Sequence, residues 1–205
     1  MDNVFYNCYS LTSIDITNFQ TKKVRSMYQM FFGCLNLTFI DISSFDTSSL
    51  TYMHFMFAIC HSLTSIAIDV TKFKTTKVTN MDKMFYGCFN LTFIDISSFD
   101  TSNVENMEFM FSSCHSLTSI DLSNFKTTKV TNMNAMFSDC PKLSYIDISS
   151  FDTSNVEDMD YMFYSCSSLT SINVKNFKTM NVKSMNAMFY ECSGLSSIDV
   201  SSFDT

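Results

Sequence analysis

The chain of 205 residues has a formal net charge of -7 at pH 7, is 46% hydrophobic, and contains three Gly, one Pro and no Trp. That acidity argues against the basic footprint of a nucleic-acid binder and against attraction to anionic membranes. No apolar run approaches the roughly 20 residues that cross a bilayer, the opening MDNVFYNCYS lacks the basic start and apolar centre of a signal peptide, and scarce glycine speaks against phosphate-cradling loops.

From its first residue the chain reads as a repeat. Cys8, Cys34, Cys60, Cys88, Cys114, Cys140, Cys166 and Cys192 recur every 26 residues, with one step of 28, and so mark eight repeats. Ahead of each Cys the pattern VxxMxxMFxxC places Val104, Met107, Met110, Phe111 and Cys114 at steps of three and four, which predicts a short helix. Met1 and Phe5 fall in the same columns, so the chain opens inside such an element. After each Cys the pattern LxxIxIxxF alternates with a period of two, as in Leu117, Ile120 and Leu122, and predicts a short strand. A turn follows in which Ser102 precedes Glu105 by three residues, and Ser154 likewise precedes Glu157, a spacing that predicts a capping box for the next helix. The threonine column ahead of it is expected to close that turn with its hydroxyl. The step of 28 comes from two extra residues in SIAIDVTKF, near positions 64–73, and predicts a small bulge or a lengthened turn.

One repeat cannot bury its own apolar stripe, whereas stacked repeats cover one another. The expected architecture is therefore an α/β repeat: a right-handed solenoid of the leucine-rich-repeat type, one short strand and one short helix per 26 residues, with a parallel sheet on one face and a single domain over 1–205. The recurring LTSIDISSFDTSNVxxMxxMFxxC resembles the BspA-like leucine-rich-repeat surface proteins, in the variant built on FDTSxVxxMxxMF, over the whole chain. The resemblance implies a secreted or surface-displayed protein, hence an extracellular or cell-surface location, and adhesion to host matrix proteins or other cells.

A longer period is superimposed. IDISSFDTSNVE occurs at 94–105 and again at 146–157, and the column twelve residues after each Cys alternates: Gln20, Asp46, Lys74, Asp100, Lys126, Asp152, Lys178, Asp204. Stacked strands lie about 4.8 Å apart, so alternation of sign replaces repulsion with weak pairs. Five residues after each Cys, serine alternates with Phe39, Phe93 and Tyr145, outward aromatics that either form a binding stripe or shield the neighbouring backbone. Two positions further stands a run of carboxylates that includes Asp41, Asp95, Asp121 and Asp147. Such a column can raise its own pKa, recruit a cation or accept hydrogen bonds from nearby Ser and Thr. One carboxylate per repeat supplies few of the six to eight oxygens that Ca²⁺ requires, so no metal or other cofactor is expected.

Chemistry of other kinds finds no foothold. The cysteines share one inward column without any CxxC, which points to buried free thiols and to neither disulfides nor zinc. His61 and His115 share a column around Phe89 two repeats apart, too far for a nucleophile and base pair, and GxSxG, HExxH and phosphate-loop motifs are absent. No catalytic residue is assigned and an enzyme is not expected. Asn36 and Asn90 begin NLT, an N-glycan acceptor sequence that also arises by chance.

Neither end shows a recognisable capping repeat. Either the chain is a piece of a longer protein, or its ends stack head to tail, with Phe203 and Asp204 of one copy meeting Met1, Phe5, Gln20, Lys22 and Lys23 of the next. The functional expectation is a non-enzymatic surface module that binds host or matrix proteins through the strand face at Phe39, Phe93, Tyr145 and the Asp column. The alternative is a filament of stacked ends. Glycan is a further candidate ligand; nucleic acid and membrane insertion are not expected.

Overall fold

In the computed structural model, which describes residues 1–204, each apolar column becomes a continuous row of contacts between successive coils, numbered 1 to 8 by their cysteines. One core runs from Ile16 to Cys192. The phenylalanines of the MxxMF motif stack face to face, with ring centroids 5.3 Å apart at Phe5–Phe31 and 5.6 Å apart at Phe163–Phe189. Met107, Met110, Phe111 and Cys114 are fully enclosed. All eight cysteines are free, as the sequence implied, and seven are buried. Each buried thiol also donates a hydrogen bond to the Phe carbonyl of the preceding coil, at 3.3 Å for Cys114 to Phe85 and 3.2 Å for Cys140 to Phe111.

The expected helices do not form: the described residues contain no helix. Along Met27–Cys34 the amides alternate between two kinds of partner. Met27, Phe31 and Gly33 donate to Tyr52, Met56 and Ala58 of the next coil at 2.9 Å each, while Met30, Phe32 and Cys34 donate three residues back at 3.2 Å. A helix would send these amides four residues back within the same coil. The turn array instead places two residues per coil at left-handed φ, such as Gln29 (52°) with Gly33 (71°) and Phe109 (52°) with Ser113 (58°). Left-handed backbone suits the third position of a tight turn but costs a residue with a Cβ roughly 1–2 kcal/mol. Inter-coil bonds and the buried columns offset that cost. The capping box fails for the same reason: the Glu105 amide donates to Thr79 O of the preceding coil at 2.8 Å, and the Ser102 amide to Asp100 Oδ1 at 3.0 Å.

The strand expectation holds only in part. Among the described residues two strands form, β1 (Phe39–Asp41) and β2 (Ser65–Ala67), paired in parallel with Ile40 opposite Ile66. The corresponding segments of coils 4–8 run without named strands. The long parallel ladder lies elsewhere, at the start of the MxxMF motif, as bridges from Ser26 through Tyr52, Asn80, Asn106, Asn132 and Asp158 to Ser184.

The threonine hydroxyls join coils, while the turn is closed by the threonine carbonyl, which accepts the amide three residues on, as Thr127 O does from Val130 at 2.9 Å. Thr127, 1% exposed, donates from Oγ1 to Asp152 O and accepts from the Asp152 amide, both at 2.8 Å. Thr21, Thr75, Thr101 and Thr153 make the same double bridge. The two extra residues of coil 3 equal one strand period, so inward and outward positions are kept. Asp69 then takes the place Ala67 would have held and accepts from the Thr71 amide at 2.9 Å. The coil-3 carbonyl that serine hydroxyls reach in other coils is Val70 O, here taken by Lys74 Nζ at 3.2 Å, which leaves Ser98 Oγ without a partner.

Candidate interaction face

Alternation along LxxIxI decides which side chains reach solvent. Ile40, Ile94 and Ile146 are buried, and their neighbours Phe39, Phe93 and Tyr145 are 49%, 66% and 60% exposed, so each sequence-predicted aromatic stands on the outer side of the stack. Between the coils of Phe93 and Tyr145 lies the small Ser119. A shallow groove of about 330 Å³ is lined there by Phe93, Asp95, Ser97, Ser119, Ile120 and Asp121.

The carboxylate column is both structural and ionised. Asp41, Asp95, Asp121 and Asp147 each accept the amide of the serine two residues on, at 2.8, 3.0, 2.9 and 2.9 Å. Those local turns stabilise the charged form. Hydrogen bonds from the serine hydroxyl and then the amide hold Asp41, Asp95 and Asp147 below the usual carboxylate range; for Asp121 the Ser123 amide leads and its hydroxyl follows. Asp69 is lowered to about 2 by the Thr71 hydroxyl, the Thr71 amide and Lys72. Of the three fates open to this column, hydrogen bonding is the one observed. Only Oδ1 is engaged in Asp95, Asp121 and Asp147 among the described residues, and no group of three or more His, Cys, Asp or Glu is placed there to share a metal ion.

The alternating-charge column closes one direct pair, Lys178 Nζ to Asp152 Oδ1 at 3.3 Å, exposed and therefore weak. Of the end residues, Met1, Phe5 and Phe203 are half-buried on the outermost coils, and Gln20, Lys22, Lys23 and Asp204 are exposed.

Two constellations appear that the sequence showed in part or not at all: the shared His61, Phe89 and His115 column was read there without its contacts, and the surroundings of Lys83 were not read. His61, Phe89 and His115 form one stack with centroid spacings of 4.1 and 4.5 Å, extended by His115 Nε2 to Asp139 Oδ2 at 2.9 Å. Burial, then His115, pushes the His61 pKa down. On the turn side, Lys83 Nζ sits 5.2 Å from the ring centre of Phe55 and 4.8 Å from that of Phe109, and it pairs with Asp82 at 2.9 Å and Glu108 at 3.4 Å. Column reading could have found it, because Phe55, Lys83 and Phe109 are consecutive members of one left-handed column.

A stack of self-similar coils with one core, an exposed aromatic and acidic face and polar turns defines a repeat protein. The chain belongs to the family described as "Mycoplasma protein of unknown function, DUF285", whose model matches residues 1–117, 61–145 and 118–205. Curated proteins give no match. Among solved structures it is similar to a leucine-rich repeat protein from Bacteroides ovatus, with 23% identity and a TM-score of 0.46 over 78% of this chain and 45% of that one. It is also similar to the T. pallidum leucine-rich repeat protein, with 18% identity and a TM-score of 0.49 over 90% and 75%. A third is a leucine rich cell surface protein from Faecalibacterium prausnitzii, with 17% identity and a TM-score of 0.36 over 98% and 70%. The chain thus spans less than half of the Bacteroides ovatus protein. The repeat motif read from the sequence resembles the BspA-like leucine-rich-repeat surface proteins. No helix among the described residues is long and apolar enough to cross a membrane.

Proposed function

We propose that the eight coils act as one non-enzymatic interaction module, displayed at a cell surface, that binds a host or matrix protein through the face carrying Phe39, Phe93, Tyr145 and the Asp column. The observation behind this reading is the exposure of Phe93 and Tyr145, 66% and 60%, in a chain whose MxxMF and FxT phenylalanine columns are enclosed in all but the outermost coils. Outward aromatics rimmed by polar groups are the composition of a protein-binding patch. Surface localisation rests on the BspA-like motif resemblance.

The test is biolayer interferometry of the chain against purified extracellular-matrix and cell-surface proteins, with a glycan array in parallel. Phe93→Ala with Tyr145→Ala should weaken a bound partner by about tenfold or more, the loss expected when two interface anchors are truncated. Unchanged affinity in that double variant refutes the assignment of the face, and binding to glycans alone refutes the protein partner.

A second reading is a filament. Coils 1 and 8 leave Met1, Phe5, Leu11 and Phe203 only half-buried against the core, surfaces that a further coil or a second copy would cover. Fibres one coil-stack wide in negative-stain micrographs over a concentration series would support end-to-end stacking, and dispersed short rods at every concentration would refute it.

A further inference from the structure

The chain already contains, twice over, the chemistry that the strand face lacks in coils 4–6. Two carboxylates of the Asp column, one in coil 3 and one in coil 8, are paired with lysines of the chain itself: Asp69 Oδ2 with Lys72 Nζ at 3.1 Å, and Asp199 Oδ2 with Lys175 Nζ at 3.5 Å. In coils 4–6 the positions equivalent to Lys175 are Ser97, Ser123 and Ser149, and Asp95, Asp121 and Asp147 have no cationic partner among the described residues. The segments LTFIDIS, LTSIDLS and LSYIDIS contain no Lys, Arg or His.

The second precedent lies on the turn side. There one ammonium, that of Lys83, is held between Phe55 of the coil before and Phe109 of the coil after, with Asp82 and Glu108 closing the pair. Aromatic faces attract a cation through their quadrupole, and flanking carboxylates add charge. The strand face repeats this order with the middle member removed. Phe93 stands on coil 4, Ser119 on coil 5 and Tyr145 on coil 6, with Asp95, Asp121 and Asp147 two residues further along each coil. Phe93, Ser119 and Tyr145 are all exposed, and the groove beside Ser119 is open.

We infer that the strand face takes a cationic, extended segment of a partner protein, one lysine or arginine of which lies over Ser119 between Phe93 and Tyr145 and pairs with Asp121. This rests on the face assigned above and adds the chemistry of its partner. The carboxylates remain charged under ordinary conditions because their serine hydroxyls and amides hold them ionised.

The test is fluorescence anisotropy with three labelled 12-residue peptides, alternating Lys-Ser, alternating Glu-Ser and all Ser-Gly, at low and physiological salt. The Lys-Ser peptide alone should bind. Ser119→Lys places an ammonium of the chain in the slot and should weaken binding about tenfold, while Ser119→Gln, of similar length and neutral, should stay within about threefold. Asp121→Asn should weaken binding about fivefold and flatten its salt dependence. Its fold should survive, because Asn173 already fills this column in coil 7 and accepts the Lys175 amide at 3.2 Å.

Asp46→Asn with Asp100→Asn and Asp152→Asn removes three charges from the other acidic column and serves as the control. A loss as large as that of the face variants would mean that general negative charge attracts the peptide, and would overturn the inference. So would a Lys-Ser peptide that fails to bind, equal binding of the Glu-Ser peptide, or a face already covered by a second copy in sedimentation velocity. A natural partner that depends on Phe93 and Tyr145 but has no basic segment overturns this inference and leaves the interaction face standing.

Discussion

Replacing Thr127 by Val keeps the shape of a side chain that is 1% exposed and removes only its hydroxyl. That hydroxyl satisfies two backbone groups of the next coil, accepting from the Asp152 amide and donating to the Asp152 carbonyl, both at 2.8 Å. Valine supplies neither partner, and each orphaned group costs about 1–3 kcal/mol when water cannot replace it. Since the Asp152 backbone is partly buried, the lower half of that range applies to each group, about 2–4 kcal/mol in all. Thr127→Ser keeps both bonds and loses one buried methyl, about 1 kcal/mol. Urea unfolding followed by circular dichroism, with the m-value monitored for loss of cooperativity along the stack, gives both numbers. A Thr127→Val chain as stable as Thr127→Ser would refute the view that these hydroxyls couple one coil to the next.

Backbone handedness makes its own prediction. Gly87 has φ of 69° and room for a methyl group, the nearest neighbour of an added Cβ being Ile59 at 3.7 Å, so Gly87→Ala should cost only the left-handed strain, about 1 kcal/mol in a urea melt. Ala187, at φ 52° and half-buried, should show the opposite sign, with Ala187→Gly gaining about 0.5 kcal/mol. The thiols predict alkaline instability. Burial pushes Cys88 and Cys140 up to about 12, from an ordinary value of 9.0. Below pH 9 both folded and unfolded thiols are protonated and their contribution is intact. Between about 9 and 12 only the unfolded chain releases the protons, so stability falls by about 1.4 kcal/mol per pH unit for each such thiol. Urea midpoints measured from pH 7 to 10 should drop above 9, and Cys88→Ala with Cys140→Ala should shallow that drop.

The columns named from the sequence are the columns of the structure. Leu117, Ile120 and Phe111 are inside, Phe93 and Tyr145 outside, and the cysteines free and enclosed, because burial follows from which residue types recur at each position of the period. Asp121 was open to three fates. Its partner turned out to be the amide two residues on, a local turn that the Asp-x-Ser spacing already contained.

The helices failed on a point that apolar spacing cannot decide. Steps of three and four put Met107, Met110 and Phe111 on one side of a helix and equally on one side of a string of tight turns. The choice belongs to the amides of Met107, Phe109 and Phe111, whose acceptors are Asn132, Asn134 and Met136 on the next coil. A bond to a residue 25 positions away exists only once two coils are stacked, and no local propensity encodes it. The same holds for the threonine bridges, and for Lys83 between Phe55 and Phe109, which three coils must assemble. The sequence by itself determined the period, the core and the outward face. Tertiary stacking decided the path of the backbone within each coil, because its hydrogen bonds run between coils.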